Sequence, residues 1–151
     1  KKGYVTAIWN ELYKKAIQEH HDYYYATGDD IMYCSDGWID RHIHELKKTN
    51  GLGTVGCYNG NGRIITQFMV TKKHWDIFGF MFNPKIVNWF CDDHLNELYS
   101  KNLLHITTDQ NINAGGDPRY IIDKKLVKED SLKLISYLKL NGGLSYYTQG
   151  S

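Results

Sequence analysis

The spacing of apolar residues changes period again and again along this chain, and that alternation limits its fold more than any other feature. Over residues 4–20, Ile8, Trp9, Leu12, Ala16 and Ile17 recur at helical spacing. The next segment, DYYYATGDDI at 22–31, reads as a buried strand that runs into a loop. Asp36 is placed to N-cap a second helix with Ile39, Ile43 and Leu46 as its stripe, ended by Asn50-Gly51. A strand at 53–58, a turn at Asn59-Gly60-Asn61-Gly62 and a strand at 63–71 follow. Beyond them come a short helix or turn at 72–78 and a loop punctuated by Gly79 and Pro84. A helix at 92–100 carries Leu95, Leu98 and Tyr99 inward; a strand at 103–108 and a loop at 110–118 succeed it. The last helix, at 129–140, carries Leu132, Ile135 and Leu138. Such an order predicts the α/β class, a mixed sheet flanked by helices. It predicts one domain over residues 1–140 and a polar, Gly-rich, flexible tail at 141–151.

Charge and composition exclude several function classes. With 18 basic and 17 acidic side chains the net charge is +1, which gives no footprint for nucleic acid. No apolar run approaches the ~20 residues of a membrane span. Three scattered cysteines, Cys34, Cys57 and Cys91, lack the spacing of a zinc site. They predict free thiols in a reducing compartment, the cytoplasm.

Three constellations carry chemistry. Thr27-Gly28-Asp29-Asp30 closes an apolar strand. Adjacent residues of an extended chain point to opposite sides, so one carboxylate can hold a divalent cation while the other meets a ligand. Mg²⁺ and Mn²⁺ favour such oxygen ligands. Trp89-Phe90-Cys91-Asp92-Asp93-His94 places two acids at a helix start, as caps or as a general base. The run from Phe68 to Gly79 delivers a His74-Trp75 pair and a Phe-Gly stop, where Gly79 could admit a close backbone approach to a sugar. Trp38, Trp75 and Trp89 are candidate stacking surfaces for sugar rings, against the commoner fate of aromatics as core.

In this order the segments DYYYATGDDI, DGWIDRHIHEL, GTVGCYNGNGR, QFMVTKKHWDIFGF and NWFCDDHLNELY resemble the second half of GT-A-fold glycosyltransferases of the family 2 type. The resemblance spans about residues 3–122. It implies a GT-A-like fold truncated at its N-terminal side, because the family sets its nucleotide-binding βαβ units before the DxD-like strand. A missing N-terminal segment would then supply most nucleotide contacts. Asp30 matches the metal-binding acid, with Mn²⁺ or Mg²⁺ as cofactor; Asp29 is the supporting donor-site acid, and Gly28 stands where the family has an acid. Asp93 matches the base of the xED-like motif and Asp92 is its fallback. Trp75, Gly79 and Trp89 are the implied substrate contacts. No histidine matches the family's further metal ligand: His105 comes too early, while Asn111 or Asn113 lies nearer that place.

The expected function is therefore metal-dependent, inverting transfer of a sugar from a nucleotide-diphosphate donor, a UDP-sugar by preference, to a hydroxyl of a glycan or protein acceptor. The alternative is a non-catalytic carbohydrate-binding or assembly module on a partial glycosyltransferase fold. A metal-dependent phosphoesterase ranks third, because it needs more acids or histidines than the motifs supply.

Overall fold

The computed structural model describes residues 4–59, 64–88, 90–99, 101–113 and 123–145, the side chains of Lys101 and Asn113 excepted. Among these, five α-helices and five strands form a mixed α/β fold: α1 Val5–Gln18, β1 Tyr23–Ala26, β2 Ile31–Tyr33, α2 Trp38–Lys48, β3 Thr54–Tyr58, β4 Phe68–Thr71, α3 Lys72–Phe78, α4 Cys91–Leu98, β5 Leu104–Asn113 and α5 Lys124–Leu140. None of the described helices is long and apolar enough to cross a membrane.

The strand order is β1-β4-β3-β5-β2, with β3 and β5 parallel and the other neighbours antiparallel. β1 and β2 thus occupy opposite ends of the sheet, yet only residues 27–30 join them. In a flat five-stranded sheet those ends would lie about 19 Å apart. The link from Ala26 to Ile31 could reach about 18 Å only at full stretch, and Asp29-Asp30 lie in a turn. The sheet must therefore curl until its two ends approach. The seam is closed by side chains: the Thr27 and Tyr33 hydroxyls are 2.6 Å apart, and the Tyr25 and Tyr33 rings lie 6.0 Å apart.

Alternation along the strands separates two cores. Tyr25, Met69 and Val55 share one face and pack under α2 through Trp38, Ile43 and Leu46. Asp109 of β5, buried, accepts bonds from the Arg41 guanidinium and pins α2 to the sheet. Tyr24, Ala26, Phe68 and Val70 face the larger core, built with Tyr13 and Ile17 of α1, Phe78 of α3, Leu95 and Leu98 of α4, and Leu134 and Leu138 of α5.

Several expected elements are shifted. The buried side of α1 is Thr6, Tyr13 and Ile17, while Ile8 and Leu12 are exposed. The helix is rotated because the Thr6 hydroxyl donates to the Ile86 carbonyl and Asn10 bonds the backbone of Met81 and Phe82. Gly37, with φ 72°, caps α2 in place of Asp36. The strand expected from residue 63 begins at Phe68, because Ile65 bonds a side chain of α4 instead of a strand. β5 runs on to Asn113 through part of the expected loop, since β2 pairs with its last residues. The final helix starts earlier, at Lys124, where the Lys125 N–H donates to Asp123 Oδ1 at 3.0 Å. Its buried residues are Leu126, Asp130, Leu134 and Leu138, with Leu132 exposed. Leu144, in the expected tail, packs against the core. The Gly60–Gly62 part of the expected turn, and residues 114–118 and 146–151, lie outside the described residues.

Two buried polar centres brace this packing. Neutral His74 donates from Nε2 to the Met81 carbonyl at 3.1 Å and accepts at Nδ1 from the Tyr99 hydroxyl at 2.8 Å. The carbonyl can only accept, which sets the tautomer. Burial pushes the His74 pKa down to about 4, and His42, on the buried face of α2, is likewise pushed down to about 4 by burial. Asp130 is 0% exposed. Burial would raise its pKa, but His94, Lys133 and Asn83 outweigh that and hold it down at about 2. Lys133 Nζ and Asn83 Nδ2 donate to it at 2.8 and 2.7 Å. His94 Nε2 is 3.1 Å away but off the hydrogen-bond axis, a proximity of charge and dipole and not an aligned bond.

These groups set the acid behaviour of the fold. The unfolded chain takes up protons on His42 and His74 below pH ~6.5, whereas the folded state resists until about pH 4. Stability, measured by urea unfolding, falls as pH drops through that window, and His74→Leu flattens the slope. The Asp130 contribution is present above pH ~3.9 and is lost as pH falls through about 2. Asp130→Ala, which leaves the buried Asn83 amide without its acceptor while half-exposed Lys133 turns to water, costs about 1–3 kcal/mol at pH 7 in the same measurement.

Candidate functional site

The seam where the sheet ends approach opens on a cavity of about 240 Å³, lined by Trp9, Thr27, Gly28, Asp30, Gln67 and Asp92 among others. The site is thus assembled from α1, the β1–β2 turn, the start of β4 and the first turn of α4. Asp30 and Asp92, from the two acidic motifs, line the same cavity. Phe68 and Phe82, both buried, contribute apolar wall, and half-buried Trp9 offers an aromatic surface at its side.

Local geometry explains each placement. Asp29 and Asp30 are exposed in the turn that reverses the chain between β1 and β2. A Cβ on Gly28 would lie 2.5 Å from Asp30 Oδ1, so the absent side chain at 28 is the space the Asp30 carboxylate uses. The Gly28 N–H donates to Gln67 Oε1 at 3.1 Å. Gln67 is 4% exposed, and its own backbone lies flush on β3: a Cβ on Gly56 would sit 2.4 Å from the Gln67 carbonyl oxygen.

The second acidic motif rests on a strained start. Phe90, just before α4, has φ 83°, a left-handed conformation costly for an aromatic residue. Burial of its ring with Ile86 and Leu126 holds it there. Asp92 Oδ1 accepts the Asp93 N–H at 3.0 Å. Asn96, one turn on, clamps Ile65 by accepting its N–H at 3.0 Å and donating to its carbonyl at 2.7 Å, and it donates to the Asp92 carbonyl at 2.8 Å.

The remaining sequence candidates lie elsewhere. Asp93 is 8% exposed and is absent from the cavity lining. Trp75 packs edge-on against Tyr13 at 5.6 Å, away from the cavity lining. Gly79 has φ 72° and caps α3, its N–H donating to the Trp75 carbonyl at 2.7 Å. That left-handed cap accounts for the glycine. Trp38 has a ring face covered by Tyr33, stacked at 4.2 Å. Trp89 lies outside the described residues. His105 faces Glu45 of α2 at 3.8 Å, and Asn111 of β5 is buried opposite Tyr33 of β2. Sequence reasoning missed Trp9, Gln67 and Asn96. The first reads as one more apolar position of α1, and the two amides carry no motif; their roles exist only as long-range hydrogen bonds.

The polar side chains on the cavity wall offer oxygen, the donor type that hard cations take. Asp30, Asp92, Thr27 and Gln67 present oxygen, and Cys91 is no thiolate: burial and then the adjacent Asp92 push its thiol up to about 12. Among the described residues no three His, Cys, Asp or Glu side chains gather as a metal cluster. Asp30 would therefore supply one or two oxygens to Mg²⁺ or Mn²⁺, with the rest of the shell from ligand phosphate and water, as these ions commonly bind.

The two glycines separate stability from site geometry. Gly56→Ala drives a Cβ into backbone and costs about 1–3 kcal/mol in urea unfolding. Gly28→Ala meets only the movable end of Asp30 and leaves the midpoint nearly unchanged. No family model, curated protein sequence or solved structure matches the chain.

Proposed function

We propose that this chain carries the metal- and acceptor-side site of a nucleotide-sugar-dependent glycosyltransferase of the GT-A type. The observation that supports it is the shared cavity of Asp30 and Asp92, two carboxylates from motifs far apart in sequence and in the order that the family resemblance implies. A metal-dependent glycosyl transfer needs two such functions: an acid that holds the cation beside the leaving diphosphate, and a carboxylate that takes the acceptor proton.

In this reading Asp30 holds Mn²⁺ or Mg²⁺, and Asp29 lies beside it on the same turn to meet the donor. The bound cation supplies charge neutralisation for the departing diphosphate. Asp92 accepts the proton of the acceptor hydroxyl as that oxygen attacks the anomeric carbon, and configuration inverts. Asp92 takes this role in preference to Asp93 because it is the acid of the pair on the cavity surface. Trp9 stacks on a sugar ring, a role aromatic faces suit. The Thr27 hydroxyl offers a polar contact on the cavity wall.

Calorimetric titration with UDP tests the reading, in the presence and absence of Mn²⁺. Binding is expected to require Mn²⁺ and to weaken about ten-fold or more in Asp30→Asn, a loss in the range of one charge-assisted contact. Hydrolysis of a panel of UDP-sugars is expected to fall about 100-fold in Asp92→Asn, the usual worth of a general base, and less in Asp93→Asn. Glycan binding without any metal-dependent nucleotide binding would instead favour a carbohydrate-binding module.

A further inference from the structure

We propose that Gln67 is a positioning residue: it fixes the turn that carries Asp30 and, with Asn96, sets that turn relative to Asp92. The β1–β4 ladder ends at the Ala26–Phe68 pair. One step further the backbones separate, and the Gln67 side chain takes over by accepting the Gly28 N–H at 3.1 Å. Its amide nitrogen donates to Thr66 Oγ1 at 3.0 Å, which holds the carbonyl end toward Gly28.

Gln67 is itself held on two sides. Gly56 lets its backbone lie against β3 with no room for a methyl group. Two residues earlier, Ile65 is clamped through both backbone polar groups by Asn96, which also donates to the Asp92 carbonyl. A continuous path of hydrogen bonds and short backbone steps thus runs from Asp92 through Asn96, Ile65 and Gln67 to Gly28, two residues before Asp30. Beside it the Thr27 hydroxyl meets that of Tyr33 at 2.6 Å, but Asp29 and Asp30 themselves are exposed, and Gly28 brings no side chain. Fixing such a turn before ligand arrives lowers the entropy lost on binding.

A purely structural role would reward any side chain that fills the same buried space, so Gln67→Leu would outperform Gln67→Glu. A positioning role through the acceptor oxygen inverts that order. The latch itself is read by amide hydrogen exchange at Gly28 in the full chain, followed by NMR. Wild type is expected to protect Gly28 about ten-fold or more, in line with one intramolecular hydrogen bond. Gln67→Leu is expected to lose this protection and Gln67→Glu to keep it. An unprotected Gly28 in wild type, which is readable even if Gln67→Leu fails to fold, overturns the proposal, as does full protection in the Leu variant.

The consequence for the site rests on the glycosyltransferase reading and is measured by Mn²⁺-dependent UDP affinity. A drop of about ten-fold in Gln67→Leu, restored in Gln67→Glu, is expected. Unchanged affinity in a Leu variant that has lost Gly28 protection overturns the positioning role. Should wild type bind no UDP with Mn²⁺, the functional reading fails, and exchange at Gly28 alone then decides the latch.

Discussion

The short link between β1 and β2 is the constraint on which the rest of the structure depends. Strands at opposite ends of a five-stranded sheet are joined by residues 27–30 alone. The backbone cannot bridge a flat sheet and still turn, so the sheet curls. The curl brings the two ends together at one point, and the turn carrying Asp29 and Asp30 sits there because it is the link. Everything else at the cavity, from Trp9 on α1 to Asp92 on α4, is arranged around that seam.

Curling leaves local demands that side chains meet. Ladder hydrogen bonds stop where the strands separate, and amide side chains replace them: Gln67 at Gly28 and Asn96 at Ile65. Each amide is nearly buried, and a buried amide is tolerated only when bonded. Beneath the cavity wall, Asn10, His74, Asn83 and Asp130 bond the loop from Met81 onward to α1, α3 and α5. That loop leads into Phe90, whose left-handed backbone sets where α4 begins and so where Asp92 is presented. Buried polar groups here orient the backbone of that loop.

Much of the element order was legible. α3 has the expected limits of 72–78, and the inward residues expected of the helix near 92–100, Leu95, Leu98 and Tyr99, are buried. The errors in which helix face is buried share a cause. α1 presents Thr6 and Tyr13 inward in place of Ile8 and Leu12, because a threonine hydroxyl and an asparagine amide reach partners far away in sequence. In α5 a charged residue, Asp130, takes a buried position that apolar periodicity would assign to a leucine. Apolar pattern reads the hydrophobic term alone, and these helices are oriented by polar contacts as well.

The sequence by itself determined the class of the fold, the two acidic motifs and their order, because alternating periods and strand-end acids are local properties. Only the tertiary structure decided that Asp30 and Asp92 line one cavity, that Trp75 and Gly79 serve packing and a helix cap, and that Gln67 and Asn96 tie the acidic elements together. Those outcomes depend on which strands pair, and pairing is a contest among long-range contacts. Its result here turns on a four-residue link too short for a flat sheet.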